Sequence, residues 1–243
     1  MKLQFLENIG REFRDSILRV LRDYSESLIL ALILALILRQ FIFGSYRISN
    51  IMMEPTLNLG DFIVGYRLPY GFNLPFSGRH IGQATPRRGD VLIFRCPSNP
   101  EASCVKRVVG LSGDRIELRG QRLLINGSIA KYSKSKFPAP EELAAQIDMI
   151  ALEEKTPWGH HDILVSGAKN AADFGPYIVP PDSFFALGDN RDFSEDSRHW
   201  GAVPNSKIEA RAMTVWLSIA WNKDETGTYR SQLRKNRLLV PIH

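Results

Sequence analysis

The sequence predicts a mainly β protein: an antiparallel, partly closed β-sheet domain with an inserted subdomain, preceded by one N-terminal transmembrane helix. Three observations predict it. Residues 27–43 read SLILALILALILRQFIF, short segments rich in β-branched and aromatic residues recur between turn residues after residue 60, and the texture changes between 131 and 175. With 44% apolar and 23% charged residues in 243, wholesale disorder and collagen-like repetition are excluded. Two cysteines cannot make a disulfide scaffold, and Cys96 and Cys104 lack the nearby Cys or His of a structural zinc site. No metal and no cofactor are expected. The net charge of +5 is spread along the chain, so no nucleic-acid partner is expected, whereas anionic lipid remains compatible.

The first element is the apolar run. At 1.5 Å per residue it reaches roughly 26 Å, close to the hydrocarbon thickness of a bilayer when Arg39 snorkels to the interface. A buried core helix is the competing reading, but such helices carry a polar face and residues 28–38 have none. A cleavable leader fits less well, because the run lies well inside the chain and no small-residue cleavage site follows. Arg11, Arg14, Arg19 and Arg22 precede the span, and only Arg39 and Arg47 lie at or just after its far end. Residues 1–26 are therefore expected on the cytoplasmic side and 46–243 on the exported side. Leu6, Ile9, Phe13, Ile17, Val20 and Tyr24 recur at three- and four-residue spacing. That pattern reads either as an amphipathic helix resting on the inner leaflet or a partner, or as an extension of the same helix.

Strands are predicted next over 61–68, 90–96, 105–109, 115–118 and 122–125, and later over 183–187 and 210–219. Arg119-Gly120-Gln121 makes a tight connection, and Asn126-Gly127 a second turn. Export would permit a Cys96–Cys104 disulfide, and free buried thiols are the alternative. The 131–175 insertion reads as a helical stretch over 140–154 (PEELAAQIDMIALEE) followed by a loop with His160 and His161. Adjacent histidines point oppositely on a strand and lack the i, i+4 spacing of metal-binding helices. Arg230, Arg234, Lys235 and Arg237 read as a solvated basic face, with anionic lipid contact as the alternative.

Two stretches carry residues suited to chemistry. A lysine acts as a general base near neutral pH only where desolvation lowers its pKa, and Lys106 has apolar neighbours in Val105, Val108 and Val109. Alone, VKRVV would read more readily as an exposed strand lysine. Gly188 and Asn190 supply a sharp turn, and Ser194, Asp196 and Arg198 follow at two-residue intervals, which puts them on one side of an extended segment.

Taken together, MEPTLNLGDF (53–62), RRGDVLIF with VKRVVGLSGDRIEL (87–118) and ALGDNRDFSEDSRHWGAVP (186–204) resemble bacterial type I signal peptidase, the membrane-bound Ser/Lys endopeptidase that removes secretory signal peptides. The third stretch is the most specific, and the likeness covers most of the chain outside the insertion. The resemblance implies Lys106 as general base and Ser194 as the hydroxyl that orients its amine. It also implies that Asp196 pairs with Arg198 or Arg107 to hold the wall of the site, supported by Gly188 and Asp189. It further implies a bacterial inner-membrane location, preprotein signal peptides and membrane lipid as partners, an association with the secretion machinery, and cleavage after small residues of an extended peptide.

One box departs from the family pattern Ser-x-Ser-Met-x-Pro-Thr. Met53, Glu54, Pro55 and Thr56 align without a gap, which leaves Met52 in the nucleophile's place and Asn50 in place of the first serine. A thioether has no proton for a base to take and forms no hydrolysable acyl-enzyme. An amide can still donate to an oxyanion, so Asn50 is the milder change. Ser49 is a candidate substitute nucleophile, but three residues span roughly 10 Å of extended chain and misplacement by about 1 Å already costs heavily. Two readings follow: a working endopeptidase, motivated by Lys106 and Ser194, or a binding module for signal peptides or membrane partners that does not cut, motivated by Met52.

Overall fold

The computed structural model describes residues 2–73, 80–82, 84–137, 148–167, 172–223 and 229–243. The chain forms two compact units, Met1–Ile42 and Phe43–His243.

The first unit is one helix, α1 (Lys2–Phe41). The segment before the apolar run is therefore a continuation of the same helix, the second of the two readings above. Leu28, Ile29, Leu30, Leu32, Ile33, Leu34 and Leu36 are all exposed. Among the described residues, however, no helix is long and apolar enough to cross a membrane. A stretch of the roughly 20 residues that crossing needs, ending at Leu36, takes in Arg19, Arg22, Asp23 and Glu26. The helix also stops at Phe41 and a strand begins at Phe43, short of the expected boundary at 43.

The second unit runs through β1 (Phe43–Arg47), β2 (Asp61–Tyr66), β3 (Phe72–Asn73), β4 (His80–Ile81), β5 (Val91–Arg95), β6 (Ser103–Leu111), β7 (Arg115–Arg119), β8 (Arg122–Ile125) and β9 (Ser128–Ile129). It continues through β10 (Lys131–Lys134), β11 (Met149–Thr156), β12 (Gly159–Ser166), β13 (Phe174–Ile178), β14 (Ser183–Leu187), the one-turn helix α2 (Ser197–Trp200), β15 (Val203–Pro204), β16 (Ile208–Lys223), β17 (Tyr229–Leu233) and β18 (Val240–Pro241). The main sheet is ordered β1-β2-β16-β5-β6-β14-β15, with β17 and β18 also on β16, and every pair is antiparallel. Register shifts along β16, between Ala212 and Thr214 and between Val215 and Leu217, bend that long strand and let the sheet curl into a half-barrel.

The residue pattern explains the placement. VLIFR and SFFAL are almost continuously apolar because β5 and β14 are interior strands; β14 is buried throughout and β5 at all but Arg95. DFIVGY alternates between buried and half-buried positions, as a strand with one covered face does. At the tip of the β7–β8 hairpin Gly120 and Gln121 both take positive φ, and Asn126 and Gly127 do so before β9, the backbone that two-residue hairpin turns require. Cys96 and Cys104 are disulfide-bonded and close the β5–β6 hairpin.

Three expectations are corrected. Where the expected 140–154 helix is described, Met149–Thr156 is a strand, paired from Met149 with Ser166 to Thr156 with Gly159; residues 140–147 lie outside the described residues. The partner strand β12 satisfies its backbone and buries Met149 and Glu154, which outweighs the helical propensity of the sequence. His160 and His161 are on β12 rather than in a loop, with His160 72% exposed and His161 8%. The basic tail is not a solvated face throughout: Arg237 binds Asp61 at 2.6 Å and the Thr56 carbonyl at 2.9 Å, and Arg234 donates to the Leu59 carbonyl. Asp61 is fully buried at the head of β2, and a carboxylate there needs a counter-charge.

Candidate active site

Lys106 lies on β6 opposite Leu92 of β5, and it is 1% exposed. Burial draws its amine down from 10.5 to about 8, against the opposing pull of the Asp196 and Asp189 carboxylates. Its side-chain partner is Met52: the amine donates to the thioether sulfur Sδ over 3.1 Å. Met52 sits on the loop between β1 and β2. That loop is anchored beneath by Ile48, Met53 and Leu57, which share a core cluster with Val105, the neighbour of Lys106. The sequence-predicted base and the occupied nucleophile position are thus brought together, 54 residues apart in the chain.

The Gly188 box closes round them. A Cβ on Gly188 would stand 2.1 Å from Ser194 Oγ and 2.6 Å from the Met52 carbonyl, so only glycine lets the three segments meet. The Gly188 N–H donates to Asp196 Oδ2. Of the two arginines open to Asp196, the structure selects Arg198: Nε meets Oδ1 and Nη2 meets Oδ2, both at 2.8 Å. Ser194, Asp196 and Arg198 do not share one extended segment, because Asp196 caps α2 by accepting from the Arg198 N–H and Arg198 lies within that turn. They meet instead because the Arg198 guanidinium reaches back to Asp196 and to the Ser194 and Arg191 carbonyls. Burial alone would raise the Asp196 pKa, but Arg198 holds it below the ordinary carboxylate range.

Arg107 takes the other acidic residue. Its Nε and Nη2 bind Asp189 Oδ1 and Oδ2 at 2.9 and 2.8 Å, Nη1 donates to the Gly89 and His243 carbonyl oxygens, and Nη2 also reaches Thr56 Oγ1. Asp189 accepts a further 2.5 Å bond from Thr56. Its full burial would raise its pKa, and the Arg107 guanidinium holds it low instead.

The remaining three predicted site residues are placed as follows. Ser194 is 5% exposed, but its Oγ has no hydrogen-bond partner among the described residues, and the Lys106 amine faces Met52. Asn50 Oδ1 accepts from the Met52 N–H at 3.2 Å in an Asx-type turn, which commits the oxygen of that amide and leaves its NH2 as the donor end. Ser49 is exposed, whereas Lys106 is buried, and no hydrogen bond joins them. The sequence reading missed Thr56, Glu154, His161 and Arg191. Thr56 and Arg191 lie inside the recognised boxes and were legible there; His161 was noted in the insertion only as one of two adjacent histidines without metal-ligand spacing, and nothing in the residue pattern sets Glu154 apart.

Beside Lys106, β6 has a strand partner among the described residues on one side only. On one side β6 pairs with β5 from Ser103 to Arg107, and on the other it meets β14 only from Arg107 to Leu111. Among the described residues no strand covers Ser103–Lys106 on that second side.

A model of the family "Signal peptidase, peptidase S26" matches residues 21–217. A signal peptidase I of Pseudomonas fluorescens is 36% identical over 212 residues, covering 82% of this chain and 73% of its own. A signal peptidase I of Pseudomonas aeruginosa is 33% identical over 214 residues, with the same two shares. A crystal structure of a signal peptidase I from Enterococcus faecalis aligns at a TM-score of 0.34 and 28% identity, over 52% of this chain and 96% of that one. The match takes in most of the chain, including the Met52 loop, the Lys106 strand and the whole Gly188 box, and the chain belongs to the signal peptidase I (peptidase S26) family.

Proposed function

We propose that this chain receives signal peptides of exported preproteins as extended strands beside Lys106 and does not cleave them by the serine route. The observation that carries the reading is the 3.1 Å contact between the Lys106 amine and Met52 Sδ. The base is desolvated and placed, but the group it faces has no proton to give and no oxygen to acylate. Among the described residues Ser103–Lys106 has no strand partner on the β14 side, which supports backbone pairing with a peptide there. Val105, half-buried next to Lys106 and packed on the core of Ile48, Met53 and Leu57, supplies apolar surface beside it. The disulfide supports placement on the exported side, and the exposed leucines and isoleucines of α1 support an association of that helix with lipid. Anchoring in the inner membrane, with the N-terminus cytoplasmic, is part of the same proposal.

Family membership favours cleavage as the second reading, so the test compares them directly. Detergent-solubilised wild type, Met52→Ser and Met52→Ser/Lys106→Ala are incubated with a preprotein carrying alanine one and three residues before the junction. Peptide binding by all three, with cleavage by Met52→Ser alone at a rate about 10³-fold or more above wild type, is the expected result. Efficient cleavage by the wild type that disappears in Ser49→Ala would establish the endopeptidase reading instead. Equal binding of peptides with leucine or lysine at those two positions would remove the signal-peptide reading altogether.

A further inference from the structure

The inserted sheet β10-β11-β12 is wired into the segment that shapes the site. Glu154 of β11 is fully buried and forms a bidentate pair with Arg191, at 2.8 Å to Nη1 and 2.7 Å to Nη2. Tyr132 of β10 donates to the same carboxylate at 2.6 Å and accepts from the Leu123 N–H of β8, which ties the pair to the hairpin behind it. His161 of β12 fills the space between the acidic groups, with Nε2 3.4 Å from Glu154 and 3.7 Å from Asp189. Burial and the nearby Arg107 push the imidazole down to about 3, so it is neutral packing between two carboxylates that already have arginine partners.

Backbone contacts continue the connection. The Leu164 N–H of β12 donates to the Asp189 carbonyl at 2.9 Å, and the Ser166 N–H to Asp192 Oδ2 at 2.6 Å. The next link leads to the site itself: the Asn190 N–H donates to the Met52 carbonyl and its side-chain amide to the Ile51 carbonyl, both at 3.1 Å. The segment 189–192 therefore has the insertion on one side and the backbone of the nucleophile position on the other.

We infer that the inserted sheet is a positioning element for the site, with Glu154 as its principal positioning residue. By holding Arg191 it fixes Asn190, and Asn190 sets where the backbone at Ile51–Met52 stands relative to Lys106. Glu154 touches neither peptide nor lysine; it acts through Arg191 and Asn190. The inference deepens the reading above, since it concerns the same peptide site.

Two variants test it in the full chain in detergent: Glu154→Gln, and Glu154→Leu/Arg191→Met, which removes both charges and leaves neither stranded in the interior, the kind of replacement that buried pairs often tolerate. The first readout is amide hydrogen exchange in the otherwise wild-type protein and needs no catalysis. Exchange at least about 10-fold faster at Asn190 and Leu164, with the amides of β16 unchanged, is expected of a positioning role. Unchanged exchange at Asn190, or equal acceleration everywhere, overturns it. The second readout uses the Met52→Ser background, where loss of the tether is expected to lower kcat at least about 10-fold with KM within about threefold; an unchanged kcat overturns the inference. If Met52→Ser itself fails to cleave, the reading of the site has failed instead, and the exchange result alone decides on Glu154.

Discussion

Lys106 affords the most direct physical test, because its burial has a thermodynamic signature that does not depend on catalysis. Its amine is drawn from 10.5 to about 8 in the folded chain. The unfolded chain therefore binds more protons than the folded one between those two values, and stability rises as pH rises through that window. Below about pH 8 the amine is charged in both states and the full cost of burying it is present. A displacement of this size corresponds to about 3 kcal/mol for a group that is 1% exposed. Lys106→Met removes the charge and keeps the length of the side chain. The variant should be more stable than wild type by up to about 3 kcal/mol at pH 7, with the gap closing toward pH 10.5. The assay is urea unfolding of both proteins in detergent at several pH values from 7 to 10.5, read as the difference between them so that tyrosines and other lysines cancel. A gap that is absent at pH 7, or constant across the range, would refute the argument that this amine sits desolvated against Met52.

Arg237→Ala should cost about 3–5 kcal/mol in urea unfolding at pH 7, since it strands the fully buried Asp61 carboxylate and releases the Thr56 carbonyl; a loss below about 1 kcal/mol would return the tail to a solvated face. Gly188→Ala should destabilise by roughly 1–3 kcal/mol and weaken peptide binding together, because its methyl group would strike Ser194 and the Met52 carbonyl, and normal affinity in calorimetry would show that these segments are not in contact. Non-reducing peptide mapping should recover Cys96 joined to Cys104. Changing both to serine should lower stability by about 2–3 kcal/mol for a loop with a sequence separation of 8; free thiols in protein isolated from cells would count against exposure of this domain to an oxidising compartment.

The sequence alone determined a good deal. Strands β2, β5, β6, β7, β8, β14 and β16 were legible because β-branched and aromatic runs bounded by Gly, Asn and Asp leave few alternatives, and the positive φ angles at Gly120, Gln121, Asn126 and Gly127 match the turns read there. The three boxes named the family, and the gapless alignment singled out Met52 before any coordinates. What the sequence left open was decided by long-range pairing. Strand β11 lies in a stretch whose local composition favours a helix, and only β12 supplies the partner that makes it a strand. Arg198 and Arg107 were equal candidates for Asp196 until the fold placed Asp189 against Arg107. Burial could not be read from the basic tail, because the need for a counter-charge belongs to Asp61, 176 residues away. The same holds at the site itself: residue types alone identify a lysine and a methionine, but the 3.1 Å between amine and sulfur arises only when β6 and the β1–β2 loop are packed on one core, since desolvation and contact are properties of the folded surroundings rather than of either residue.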